Sequence, residues 1–276
     1  MPAYPKTKPS RNAKINLRHP WSKKIVNFWA CNDLSGNNVF DLVNNFTLTV
    51  QSGTPWDTNL YGSGLKFSSS GVYAKATVPS QYRLGWPVTG AYGMRVLGVG
   101  STNDREYCVT YDNSVGTPFI CYGINRTNAN ALLLRWNNAG TFGQFTGQTL
   151  TTGNDYVVSF TISASQQIVY VNGLNPVSQS NSISNCTFGT APQMCLGEVQ
   201  SENPNVFFYW GLIANIAWPA SQHIAIGSNV NNIWQMFQPD QPSLGLPSLA
   251  GWSGRLAGRG GGLTGSPLAG RSGLVA

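Results

Sequence analysis

The chain has 276 residues, 41% of them apolar and 12% aromatic, enough apolar mass for a sizeable core. Only 10% are charged, while Gly (31), Pro (16), Asn, Ser and Thr crowd the stretches between apolar runs, which excludes a helix-rich protein and favours short strands joined by turns. The net charge of +7 belongs to the ends: seven Lys/Arg and no acid precede Asp33, three Arg follow Asp240, and seven Lys/Arg face ten Asp/Glu from Asp33 to Asp240. That distribution argues against a folded basic face that reads nucleic acid.

Residues 1–20 are polar, basic and interrupted by prolines, and are expected to form an arm. Its Lys6, Lys8, Arg11, Lys14 and Arg18 are suited to an acidic protein neighbour or to the phosphates of a nucleic acid. The first ten residues lack the apolar stretch of a secretory signal, so synthesis in a reducing cytoplasm is expected. No run of about 18 apolar residues suggests a membrane span.

From Ile25 the pattern becomes that of strands. Ile25–Cys31 is followed by a polar turn and Val39–Leu42, then by Phe46–Val50, Gly64–Phe67, Val72–Val78 and Ala91–Val99. Glu106–Tyr111, Phe119–Ile124, Ala131–Trp136, Tyr156–Ile162, Gln167–Val171, Met194–Gly197 and Phe207–Ala217 complete the set. Tyr156, Val158, Phe160 and Ile162 point one way and Val157, Ser159 and Thr161 the other, the alternation of a sheet with one wet face. Asn172-Gly173 is the strongest hairpin signal, because both residue types tolerate the positive φ of a type I′ turn. Ser221 to Phe237 has near-helical spacing with a break at Gly227, and predicts a short helix or two closing the domain before Pro239. Trp29, Phe160, Trp210 and Trp218 are expected in the core. The fold class that follows is all-β, an antiparallel sandwich over residues 21–239 with an extended arm at each end.

Residues 240–276 collapse to Gly, Ser, Pro, Leu, Ala and Arg, with a Leu-Ala-Gly repeat at Leu249, Leu256 and Leu268. So much glycine disfavours a core of its own, so a tail that orders on a partner is expected, with Leu249, Trp252, Arg255, Leu256, Arg259, Leu268 and Arg271 making the contacts.

Four stretches carry a family likeness. Pro20–Trp29 with Asp33–Leu42 is similar to the first strand and turn of the concanavalin A-like, laminin-G-like jelly-roll domains found in tailed-phage virion proteins. Gly62-Ser63-Gly64-Leu65-Lys66-Phe67 resembles that family's "G-x-A-L-x-F" strand, and Ile168–Gly173 its hairpin ending in N/D-G. Gly211–Ala214 through Asn232–Pro239 resembles its closing strand and terminal helix, although Ile233 stands where the family often has Pro. The likeness spans residues 20–239. It implies a virion structural protein, a capsid decoration or a fibre or tail component. Its partners would then be major capsid or tail subunits and copies of itself, and its location the virion. No calcium-ligand set can be matched residue by residue, so neither a metal nor a cofactor is expected.

The nearest approach to a glycosidase carboxylate pair is Glu198 and Glu202, which on a strand would lie ~13 Å apart, too far for either hydrolytic geometry. His19 and His223 have no acid or cysteine nearby in sequence and are expected at the surface. The glycines of 258–262 do not open a helix after a strand. The five cysteines include no CxxC pair. Cys108/Cys121 and Cys186/Cys195 could face each other, yet free core thiols are the favoured reading. A non-enzymatic protein is therefore expected. The alternative to a virion role is an adhesin for host glycans, its contacts drawn from Trp86, Asp112, Asn113, Trp136, Asn137 and Asn138 in or near turns; the competing reading has such aromatics packing beneath loops.

Overall fold

The structure is a computed structural model that describes residues 8–9, 13–33, 35–51, 53, 55–68, 72–99, 105–112, 119–127, 129–138, 141–184, 186, 188–197 and 205–238, with backbone alone at 105–112, 119–120, 125, 137–138 and 141–142. The chain divides into two units, Met1–Pro239 and Asp240–Ala276, the second wholly outside the described residues.

The strands are β1 (Ile25–Trp29), β2 (Asn38–Val39), β3 (Leu48–Gln51), β4 (Trp56–Asn59), β5 (Gly62–Phe67), β6 (Tyr73–Thr77), β7 (Val88–Val96) and β8 (Arg105–Asp112). They continue as β9 (Phe119–Arg126), β10 (Ala131–Asn138), β11 (Thr141–Thr149), β12 (Asp155–Ile162), β13 (Gln167–Val171), β14 (Leu174–Gln179), β15 (Pro192–Leu196) and β16 (Val206–Ala214). One helix, α1 (Ala220–Gly227), and a 3-10 turn at Asn232–Met236 follow. The first sheet runs β14-β13-β12-β7-β16-β5-β4, with β1 also on β16; the second runs β11-β10-β9-β8-β15-β6-β3-β2. Every pairing is antiparallel, so the protein is an all-β antiparallel sandwich.

Two apolar layers hold it. Tyr92, Met94, Val158, Phe160 and Phe208 of the first sheet meet Leu48, Ile124, Leu134, Trp136 and Met194 of the second between the sheets. The outer face of the first sheet is buried as well, because Phe28, Trp210 and Leu212 pack under Ile226, Ile233, Trp234 and Phe237 of the closing segment. This corrects the wet face expected for β12. Val157, Ser159 and Thr161 point away from the inter-sheet core, as the alternation requires, but Val157 joins the outer core and the two hydroxyls bond the α1 residue His223.

At the β13–β14 turn Asn172 and Gly173 take φ of 52° and 69°, as a type I′ hairpin requires. A Cβ on Gly173 would lie 2.6 Å from the Cα of Ile224, so the turn touches α1 backbone to backbone. The helix is shorter than the spacing suggests: it stops at Gly227 and resumes only as the 3-10 turn.

The described part of the N-terminal arm lies on the same outer face. Ile15 bridges Phe237, the Asn16 amide donates to the Met236 carbonyl at 2.7 Å, and the Gln238 amide donates to the Lys14 carbonyl at 2.9 Å. The Lys8 ammonium donates to the carbonyls of Cys31 (2.7 Å), Ser63 and Tyr209 (3.0 Å), and sits 5.9 Å from the centre of the Trp234 ring. Lys8, grouped by sequence with residues that reach neighbours, is thus bound to its own sandwich, while Lys14 and Arg18 keep exposed side chains. Cys31, Cys121, Cys186 and Cys195 are buried.

Candidate functional site

Of the residues expected to contact glycans, Asp112, Trp136, Asn137 and Asn138 fall at one end of the second sheet. Trp136 pairs with Tyr122 across β10–β9, and the strand ends carrying Asp112, Asn137 and Asn138 lie beyond that pair on the same side. Trp86 packs edge-on to Tyr122 with ring centres 6.2 Å apart and donates its indole N–H to the Ser184 carbonyl at 2.6 Å. Trp136 is 2% exposed and packs on Phe145 inside the sandwich, so its ring is closed to any ligand. Its expected contact role is corrected accordingly, because inward alternation on β10 takes it into the core with Leu132 and Leu134. Only the backbone is described at Asp112, Asn137 and Asn138. Asn113, Lys6, Arg11, Glu198, Glu202, Leu249, Trp252, Arg255, Leu256, Arg259, Leu268 and Arg271 lie outside the described residues.

A different place gathers ligand-binding chemistry. A cleft of about 340 Å³ opens where β4, an edge of the first sheet, meets the segment leading into β6 of the second. It is lined by Gly53, Pro55, Trp56, Asp57, Lys66, Ser68 and Val72. Trp56 faces Leu65 across β4–β5, packs against the inter-sheet core and donates its indole N–H to the Gly36 carbonyl at 2.8 Å, so its ring is fixed while it lines the cleft. Asp57 and Lys66 lie diagonally across the same two strands, with the ammonium 3.2 Å from Oδ2. The Thr58 amide donates to Oδ1 at 2.8 Å, and the Lys66 amide donates to the Pro55 carbonyl at 2.6 Å, which sets both backbones. The Thr58 N–H and then Lys66 hold the Asp57 carboxyl below the usual carboxylate range, so it is ionised at neutral pH. The result is a rigid aromatic wall beside an acceptor-only carboxylate, a donor-only ammonium and the Ser68 hydroxyl.

Sequence reasoning missed this cleft. Its one visible signal is the run Gly53-Thr54-Pro55-Trp56-Asp57, an aromatic and an acid directly after a turn.

His223, expected at the surface, is 1% exposed. Its Nδ1 lies 2.8 Å from the Ser159 hydroxyl and its Nε2 3.1 Å from that of Thr161, and its ring stacks on Tyr170 at 4.3 Å and 11°. Burial drives its pKa down to about 4, so it is neutral at pH 7. This serine–histidine contact is sealed beneath α1 and offers no room for a substrate. Among the described residues no group of three His, Cys, Asp or Glu side chains could hold a metal ion, and no helix is long and apolar enough to cross a membrane.

No protein-family model matches the sequence, and comparison with curated proteins gives no match. Solved structures do resemble it. The sialidase of Trypanosoma rangeli superposes with a TM-score of 0.57 at 15% identity over 74% of this chain and 32% of that one. The binding domain of Paraclostridial Mosquitocidal Protein 1 gives 0.57 at 14% over 74% and 52%, and that of Botulinum neurotoxin DC, solved with rat synaptotagmin II, 0.54 at 11% over 74% and 51%. The chain thus spans about a third of the sialidase and about half of the two toxin structures. At these identities the likeness shows the fold alone. The sialidases nevertheless overturn the expectation of a non-enzyme, which rested only on missing motifs: this sandwich also occurs within enzymes, and the chain's enzymatic standing is open.

Proposed function

We propose that the protein is a carbohydrate-binding β-sandwich that holds a short saccharide in the Trp56 cleft. The observation that carries this reading is the fixed indole beside the Asp57–Lys66 pair in a cleft of about 340 Å³, at the small end of the range for ligand sites. Sugar rings offer an apolar C–H face to an aromatic and hydroxyls to charged groups, and both kinds of partner are present. The neighbouring folds support it in kind, since one sialidase was solved with sialic acid and two neighbours are binding domains. A role in a virion rests on the sequence resemblance alone, and none of the similar structures named above is a virion component.

The test is a broad glycan array followed by calorimetry on the wild type, Trp56→Ala and Asp57→Ala. Binding by the wild type and a loss of about tenfold or more in each variant is expected. Asp57 is exposed, so Asp57→Ala keeps the fold and guards against a Trp56→Ala loss that merely reports unfolding. A wild type that binds no glycan on the array would sink the proposal.

A further inference from the structure

Resting on the carbohydrate-binding reading of the same cleft, we infer that it selects neutral sugars bearing adjacent hydroxyls and turns away anionic ones. Lys66 is the cation among the described lining residues, and Asp57 already neutralises it at 3.2 Å. A sugar carboxylate entering here meets no uncompensated positive charge among the described lining residues. An anion that accepts from the ammonium's remaining donors must still lie beside Asp57, and on approach it is repelled by a carboxylate that its own neighbours keep ionised.

An uncharged diol meets the opposite situation. Oδ1 of Asp57 takes the Thr58 amide and Oδ2 faces Lys66, leaving lone pairs on both oxygens, while the ammonium has donors beyond the one aimed at Asp57. One hydroxyl can donate to the carboxylate as its neighbour accepts from the ammonium. The pair keeps its own contact throughout, so a diol needs no ion to be stripped of its partner. Both side chains are a little under half exposed, at 45% and 44%, which leaves these positions open to a ligand. The Trp56 ring, tied to the Gly36 carbonyl, supplies the flat wall against which a pyranose lies. Charge pairing therefore gives the cleft a preference opposite to that of a site built from unpaired cations.

The full chain would be titrated by calorimetry with hexose-terminated neutral oligosaccharides and with their sialylated and uronate-terminated counterparts. Variants Asp57→Asn and Lys66→Gln accompany it. Neutral ligands should bind the wild type at least about tenfold more tightly than the anionic ones. Asp57→Asn should weaken the neutral ligands by about tenfold and narrow the gap, because it frees Lys66 for an anion. Lys66→Gln should weaken the neutral ligands without helping the anionic ones. Preference of the wild type for anionic ligands, or neutral binding that both variants leave intact, overturns the inference while the carbohydrate reading survives. Absence of binding to either class overturns both.

Discussion

Acidification should loosen the outer layer of this sandwich through one residue. His223 is held neutral between Ser159 and Thr161 under α1, with Tyr170 stacked on one side and Trp218 tilted at 5.5 Å. Its pKa of about 4 lies below the ordinary histidine value of 6.5, so the unfolded chain binds the extra proton first as pH falls. Stability is therefore full above pH 6.5, declines below it, and has lost all it will lose to this group once pH reaches about 4. The difference between the two values is worth about 3 kcal/mol, of which about 2 is gone by pH 5. Urea unfolding followed by tryptophan fluorescence at pH 7.5 and pH 5 measures this for the wild type and for His223→Gln, which cannot titrate. The wild type should lose about 2 kcal/mol more than the variant over that interval. Parallel losses in the two proteins would refute the reasoning, since the histidine would then be charged or solvated in the native state.

Lys8 should give a pH signature of the same sign in the alkaline range. Burial lowers its pKa from 10.5 to about 8, so the folded protein sheds this proton first and stability rises between those values, by about 2 kcal/mol from pH 8 to pH 10. In Lys8→Met that increment should be missing from the same urea titrations. Gly93→Ala on β7 would bring a Cβ to 2.3 Å from Nε1 of Trp210, a fully buried ring whose N–H is committed to the Val230 carbonyl at 2.8 Å. About 2–3 kcal/mol of stability should be lost in thermal unfolding, and an unchanged midpoint would show that the ring can move aside.

How much of this was legible in the sequence depended on where each strand sits. Interior strands such as β12 and β16 carry apolar alternation or continuous apolar runs because they have neighbours on both sides. The three strands that pattern reading missed, β4, β11 and β14, are all edges. Trp56-Asp57-Thr58-Asn59 and Leu174–Gln179 are polar, and β14 even contains Pro176, which an edge tolerates because one row of its amides has no strand to pair with. The candidate cleft sits on one of those edges and was missed with it. His223 was misread because its partners are 62 and 64 residues away. Trp136 sits two residues from the end of β10, yet the alternation of β10 already pointed it inward with Leu132 and Leu134. Lys8 was illegible for another reason: its receptor consists of backbone carbonyls, which every residue possesses.

That receptor also sets an order of events during synthesis. Lys8 and the Tyr209 carbonyl are 201 residues apart, so a ribosome adding ~5–20 residues per second needs about 10–40 seconds between making the guest and making the last wall of its cage. Throughout that interval the ammonium is hydrated and the segment around it has no closing helix to lie on. The segment around Lys8, made 201 residues before Tyr209, is thus among the last to find its place, and truncated products that stop before β16 would be distinguishable by a lysine that still reacts freely with amine reagents.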